Sequence, residues 1–184
     1  QIVRPQQRYG LGLLWLPEVG SVVQSQTDAL GAAWGTRAAD TTLVYEAATF
    51  VPTFYVGDRL IPTKPGNRDL PAGTYRIEYR LGSRGRKTVA FGDRGLHVAV
   101  AHTGEFVEQI PLLALRSDRV ESRPGEIELW RDGTGVMLHW TPASDARVDR
   151  TDERSGERHV VAIAIPATGE LTYDVEIRRA GNQR

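Results

Sequence analysis

Polar and apolar residues alternate with a period of two along most of this chain, and clusters of Gly, Pro, Asp and Asn punctuate the alternation. The clearest stretch is 74–81, where Tyr75, Ile77, Tyr79 and Leu81 share one face and Arg76, Glu78 and Arg80 the other. A helix would scatter these residues round its circumference, whereas a strand sorts them into core and solvent. Residues 126–130 repeat the pattern with Ile127 and Leu129 inward. Arg131-Asp132-Gly133-Thr134 then turns the chain, and Val136, Leu138 and Trp140 alternate on the return. Asp-Gly between two such runs predicts a hairpin, because Gly accepts the positive φ that the turn requires.

The same reading predicts strands at 9–16, 21–26, 43–47, 53–56, 87–91, 96–102, 106–110, 159–165 and 171–177. Turns are expected at 17–20, 56–59, 65–67, 71–73 and 93–95, with a further one at His102-Thr103-Gly104. The stretch 28–39 is small and polar apart from Trp34 and reads as weakly structured. The stretch 144–156 is dense in Asp, Glu and Arg and reads as a long solvated loop, and the tail 178–184 as a frayed end. Many strands, short turns and no helix-length crossover predict an all-β fold, a sandwich of two packed antiparallel sheets. One such domain is expected over residues 1–184.

Composition narrows the partners. With 40% hydrophobic and 25% charged residues, the chain is globular rather than disordered. Its formal net charge is zero, so no global field draws it to nucleic acid or to an anionic membrane, and neither is an expected partner. No apolar run approaches the roughly 18–20 residues of a membrane-spanning helix. The absence of cysteine excludes disulfides and thiolate metal sites. The only methionine is Met137, deep inside the chain, and the expectation is a module cut from something longer.

Each candidate for chemistry competes with a plainer role. His97 and His102 lie five apart on one expected strand, hence on opposite faces, and cannot share a metal ion without a bulge. No Gly-x-Ser-x-Gly elbow and no phosphate-cradling glycine loop is present. Glu105 and Glu108 flank an apolar strand and read as its solvated face. No metal and no cofactor is expected. Aromatic and basic residues are the better candidates, because sugar rings stack their C–H faces on Trp and Tyr. Trp34, in a loop-like region, is the expected exposed aromatic, and Tyr55, beside Gly57-Asp58-Arg59, is ambiguous. Trp15, Trp130 and Trp140 are expected in the core. Arg84, Arg86 and Lys87, with Arg80 nearby, form the densest positive cluster and fit either an acidic polysaccharide or a charged hairpin tip.

Longer phrases carry a family resemblance. Tyr9-Gly-Leu-Gly-Leu-Leu-Trp-Leu-Pro-Glu-Val-Gly-Ser-Val-Val-Gln-Ser-Gln26 is followed by Ala33-Trp34-Gly35-Thr36. Later come His102-Thr-Gly-Glu-Phe-Val-Glu-Gln-Ile-Pro-Leu-Leu113 and the hairpin through Trp130 and Trp140. Together they resemble the C-terminal β-sandwich of heparinase II/III-like, alginate-lyase-like polysaccharide lyases. That resemblance implies the trailing domain of a longer enzyme that cleaves uronic-acid glycans by β-elimination. It implies a catalytic helical domain as partner, an acidic polysaccharide as ligand, and a periplasmic or secreted location. No catalytic residue of such enzymes maps onto a position here, although His102 and His139 are conceivable contributors. On this reading Trp34, Tyr55, Arg84, Arg86 and Lys87 are the candidate glycan contacts, and the chain alone is expected to be inactive. The alternatives are a free-standing carbohydrate-binding module and a non-catalytic interaction domain.

Overall fold

The computed structural model of the chain describes residues 13–25, 32–38, 53–61, 73–92 and 95–179. These residues form thirteen strands and no α-helix. They are β1 Leu13–Leu16, β2 Gly20–Gln24, β3 Gly35–Ala38, β4 Thr53–Val56, β5 Arg59–Ile61, β6 Tyr75–Leu81 and β7 Gly85–Gly92. β8 Gly95–Ala114, β9 Arg119–Arg123, β10 Glu126–Arg131, β11 Thr134–Thr141, β12 Arg147–Ser155 and β13 Arg158–Arg179 complete them. The strand expected at 43–47, the turn at 65–67, most of the turns at 71–73 and 93–95, the start of the strand at 9–16 and the tail beyond 179 lie outside the described residues.

All pairings are antiparallel, in one hydrogen-bonded sheet ordered β5-β4-β6-β7-β8-β13-β11-β10-β9. This sheet folds into two layers because β8 and β13 are long and bent. The first half of β8 pairs with β7, and its second half with β3 and, at Leu112, with β2. β13 pairs through its first half with β12 and through its second with β11. The β8–β13 register breaks where Thr168 faces Glu105 but Gly169 faces His102. Gly104 (φ 97°) and Gly169 (φ 78°) flank that break in backbone conformations that favour glycine.

Side chains prove the fold-back. Ile165 is the register partner of Glu108, and Tyr173 lies eight positions further along β13. On a straight strand that separation is roughly 26 Å. The Tyr173 hydroxyl nevertheless donates to Glu108 Oε1 at 2.8 Å. The expected all-β sandwich is therefore present: a large layer of β5-β4-β6-β7-β8-β13-β11-β10-β9 faces a small one built on the other halves of β8 and β13.

Period-two sorting fills the space between the layers. Leu96, Val98 and Val100 of β8, Leu171, Tyr173 and Val175 of β13, and Val136, Leu138 and Trp140 of β11 all point inward. Phe106, Ile110, Leu112, Val161, Ile163 and Ile165 meet them from the small layer. Asp132 (φ 46°) and Gly133 (φ 79°) make the expected β10–β11 hairpin turn. Burial pushes the Tyr79 hydroxyl from 10.0 to about 12. A raised folded pKa gives stability that is intact below pH 10 and lost as the pH climbs to 12, at about 1.4 kcal/mol per pH unit. Denaturant midpoints are thus expected to fall faster over that window in the native chain than in Tyr79→Phe. Equal slopes would remove Tyr79 from the alkaline transition.

Several expectations are corrected. The strands at 96–102 and 106–110 are one strand, β8, as those at 159–165 and 171–177 are one, β13. The glycines at 104 and 169 bend the ladder there without reversing it. The charged stretch 144–156 contains β12, an edge strand whose Val148 packs on the core while its charges face water. Charge on an unpaired edge discourages edge-to-edge association. The stretch 28–39 contains β3, and residue 178 belongs to β13 and not to a frayed end.

Candidate functional site

Two of the expected glycan contacts are buried and cannot meet a ligand at the surface. Trp34 is 0% exposed and donates its indole N–H to the Tyr173 hydroxyl at 2.9 Å. Its backbone N–H donates to Ser25 Oγ at 3.1 Å, which seats the segment before β3 over the core. Lys87 is also 0% exposed and forms an ion pair with Glu108. It belongs inside because it shares the β7 face of Val89, which packs in the core. Glu108, expected on a solvated face, is buried on the β8 face of Phe106 and Ile110. Its Oε1 takes Lys87 and Tyr173, and its Oε2 accepts from the Thr36 hydroxyl at 2.6 Å. This chain of contacts pairs each buried charge with its opposite and is closed to solvent, the requirement for charge inside a core.

The tryptophans trade places. Trp15, expected in the core, is 58% exposed, together with Leu13 at 53% on the same side of β1. Among the described residues β1 pairs with β2 alone, and its inward position is taken by Leu14. Trp130 is half-buried on the outer face, its ring against Gly135, whereas Trp140 is in the core as expected.

The functional groups that remain accessible gather on the outer face of the large layer. One row of register partners crosses it: Glu126, His139, Asp174, His97, Ala90, Arg76, Tyr55 and Leu60. In its centre Asp174 bridges two imidazoles, with Oδ1 2.7 Å from His97 Nδ1 and Oδ2 3.2 Å from His139 Nε2. His97 and Asp174 border a cavity of about 480 Å³ floored by Ala90 and Gly92. Among the described residues no group of three or more His, Asp or Glu side chains is arranged to hold a metal ion. Toward β4 the Arg76 guanidinium lies over the Tyr55 ring, 4.3 Å from its centroid, and its Nε is 3.4 Å from Glu78.

A second row, four residues along each strand, holds Arg80, Arg86, Ala101 and Glu170. Arg80 and Arg86 stand directly opposite each other and are exposed, and neither has an ion-pair partner among the described residues. Like charges placed directly opposite destabilise a strand pair. Arg84 is exposed in the tight β6–β7 connection beside them, where its carbonyl accepts from the Thr103 backbone N–H at 2.8 Å. The structure therefore brings Tyr55, Arg84 and Arg86 to one side of the molecule and sends Trp34 and Lys87 inside. Sequence reasoning missed Arg76 and the His97–Asp174–His139 bridge. Parity places Arg76 and His97 outward, but no spacing in the sequence joins strands this far apart. Another cavity, about 680 Å³ over Val107, Ala162, Ala164 and Pro166, lies on the outer face of the small layer, away from these groups.

No protein-family model matches the chain, and no curated protein does. Among solved structures the chain is similar to HI1317, at 12% identity with a TM-score of 0.44. The match covers 59% of this chain and 62% of HI1317. A likeness this distant carries no argument about function.

Proposed function

We propose that the chain is the sandwich domain of a polysaccharide-lyase-like enzyme and that the outer face of its large layer binds an acidic glycan. The observation that carries this reading is the Arg80–Arg86 pair. Two exposed guanidiniums facing each other without a carboxylate repel one another until an anion bridges them. Guanidiniums hold sulfate or carboxylate oxygens in bidentate pairs. Tyr55, backed by Arg76, offers a ring face on the same surface for a sugar to stack on. The exposed Leu13 and Trp15 on edge strand β1 supply an apolar surface for the catalytic helical domain of such an enzyme. The reading carries with it a periplasmic or secreted location.

Calorimetric titration with heparan sulfate, alginate and hyaluronan oligosaccharides tests the proposal. The Arg80→Ala/Arg86→Ala double variant is expected to weaken binding about tenfold or more, since a hydrogen bond to a charged group contributes about 1.5–3 kcal/mol. Arg119→Ala, already paired with Glu121 at 2.7 Å, is expected to leave affinity unchanged. Equal affinity in the double variant would overturn the assignment of the face. The chain alone is expected to generate no unsaturated-uronate absorbance, and turnover by it would sink the division of labour with a helical domain.

A further inference from the structure

Trp130 lies flat on the outer face of the large layer. Its neighbour Leu129 packs in the core, so Trp130 points the other way, and its register partner on β11 is Gly135. A Cβ placed on Gly135 would fall 3.2 Å from each of the indole atoms Cε2, Cζ2 and Cη2. A point equidistant from three atoms of a six-membered ring lies on the normal through the ring centre. The benzo ring therefore rests face-down on Gly135, in the space that any side chain at that position would fill.

The ring is also held at its edge. Its indole N–H donates to Glu128 Oε2 at 3.1 Å, and Glu128 Oε1 lies 3.5 Å from Arg178 Nη1. The Glu128 side chain is 13% exposed and that of Arg178 58% exposed. Arg178 is the register partner of Gly135, so it stands on the far side of the ring from β10. Among the described residues no guanidinium and no aromatic ring stacks on the upper face of the indole. Covering a glycine with an aromatic ring supports a strand pair, and Trp130 does this with one face. The other face is left as an apolar plane, fixed in orientation and rimmed by a carboxylate–guanidinium pair.

We infer that Trp130 is a stacking platform for a pyranose ring, with the Arg178–Glu128 pair taking the hydroxyls at the edge of the sugar. The axial C–H bonds of a pyranose make an apolar face that matches an indole. Its equatorial hydroxyls radiate close to the ring plane, where Arg178 has further N–H donors and Glu128 further lone pairs. A proline ring would match the plane but has no edge groups for the pair. The platform goes beyond the acidic-glycan reading, because stacking requires no charge on the sugar. It is also remote from Arg80 and Arg86. Arg178 lies eight positions along β13 from Glu170 of their row, roughly 26 Å on an extended strand.

The test follows the Trp130 indole N–H resonance of the intact chain by NMR, identified by its loss in Trp130→Leu. Cellotetraose, an uncharged sugar with equatorial hydroxyls, is expected to move it saturably in the native chain and in Arg80→Ala/Arg86→Ala alike. Leucine still covers Gly135. Trp130→Leu, checked for an unchanged thermal midpoint, is expected to weaken cellotetraose binding about tenfold by calorimetry. A Trp130 signal that cellotetraose leaves still, or that only a proline-rich peptide moves, overturns the platform. In that case weaker binding of an alginate tetrasaccharide by Arg80→Ala/Arg86→Ala would leave the charged face standing. Movement by cellotetraose, with equal alginate affinity in the native chain and Arg80→Ala/Arg86→Ala, upholds the platform and sinks the Arg80–Arg86 assignment.

Discussion

Glu108→Ala is expected to destabilise the fold by about 3–5 kcal/mol, a large part of the stability of a domain this size. The cost arises from the partners left behind. Lys87 is 0% exposed, and its ammonium would lose its only counter-ion among the described residues. The hydroxyls of Thr36 and Tyr173 would lose their acceptor in the same step. Lys87→Met should also be costly, since it strands the carboxylate. The double variant Lys87→Met/Glu108→Ala is expected to cost clearly less than the sum of the singles, because it removes both charges together. Urea unfolding of the four proteins measures the coupling. Single variants within about 1 kcal/mol of the native chain would show that the pair does not hold the layers together.

Arg131→Met is expected to cost a similar 3–5 kcal/mol, by a different route. The Arg131 side chain is 7% exposed, and that of its partner Asp118 is 1% exposed. Nε and Nη2 donate to the Asp118 carboxylate at 2.5–3.2 Å, Nη1 to the Val19 carbonyl at 2.7 Å and Nη2 to the Leu113 carbonyl at 3.1 Å. One guanidinium thus ties β10 to the turn before β9, to the end of β8 and to the turn between β1 and β2. Methionine fills the volume but takes the counter-charge from a buried carboxylate, which keeps the Leu115 N–H as a donor, and removes a donor from the Val19 and Leu113 carbonyls. Arg131→Lys should not rescue it, because an ammonium cannot span the same fork of acceptors. Thermal unfolding reads the loss, and hydrogen exchange should show the β1–β2 hairpin opening first. An unchanged midpoint in Arg131→Met, or full rescue by lysine, would remove Arg131 from this role.

Strand identity was the legible part of the fold. Tyr75, Ile77, Tyr79 and Leu81 forecast β6, and the Asp132-Gly133 turn forecast the β10–β11 hairpin, because both signals are local. The candidate site was legible in fragments. The Arg80 and Arg86 neighbourhood was visible as a basic cluster. Parity would also have put Lys87 inside with Val89, and Glu108 inside with Phe106 and Ile110, had charge not been read as exposure. Trp34 misled because it precedes a four-residue strand in a polar stretch, where its neighbours carry no alternation. Trp15 misled in the opposite sense, because an alternating strand reads as core whether or not a second layer covers it.

By itself, the sequence determined the elements: which residues extend, which face of each strand is apolar, and where Gly and Asp reverse the chain. Those properties depend on neighbours two to four positions away, so local sterics and alternation settle them. Only the tertiary structure decided that β8 and β13 run through both layers, that Lys87 meets Glu108 across the core, and that His97, Asp174 and His139 form one bridge. It also decided that His102 packs beside Gly85, its ring nitrogens without a hydrogen-bond partner among the described residues. Each of these depends on register between strands distant in the chain, and on a bend whose angle no local pattern encodes.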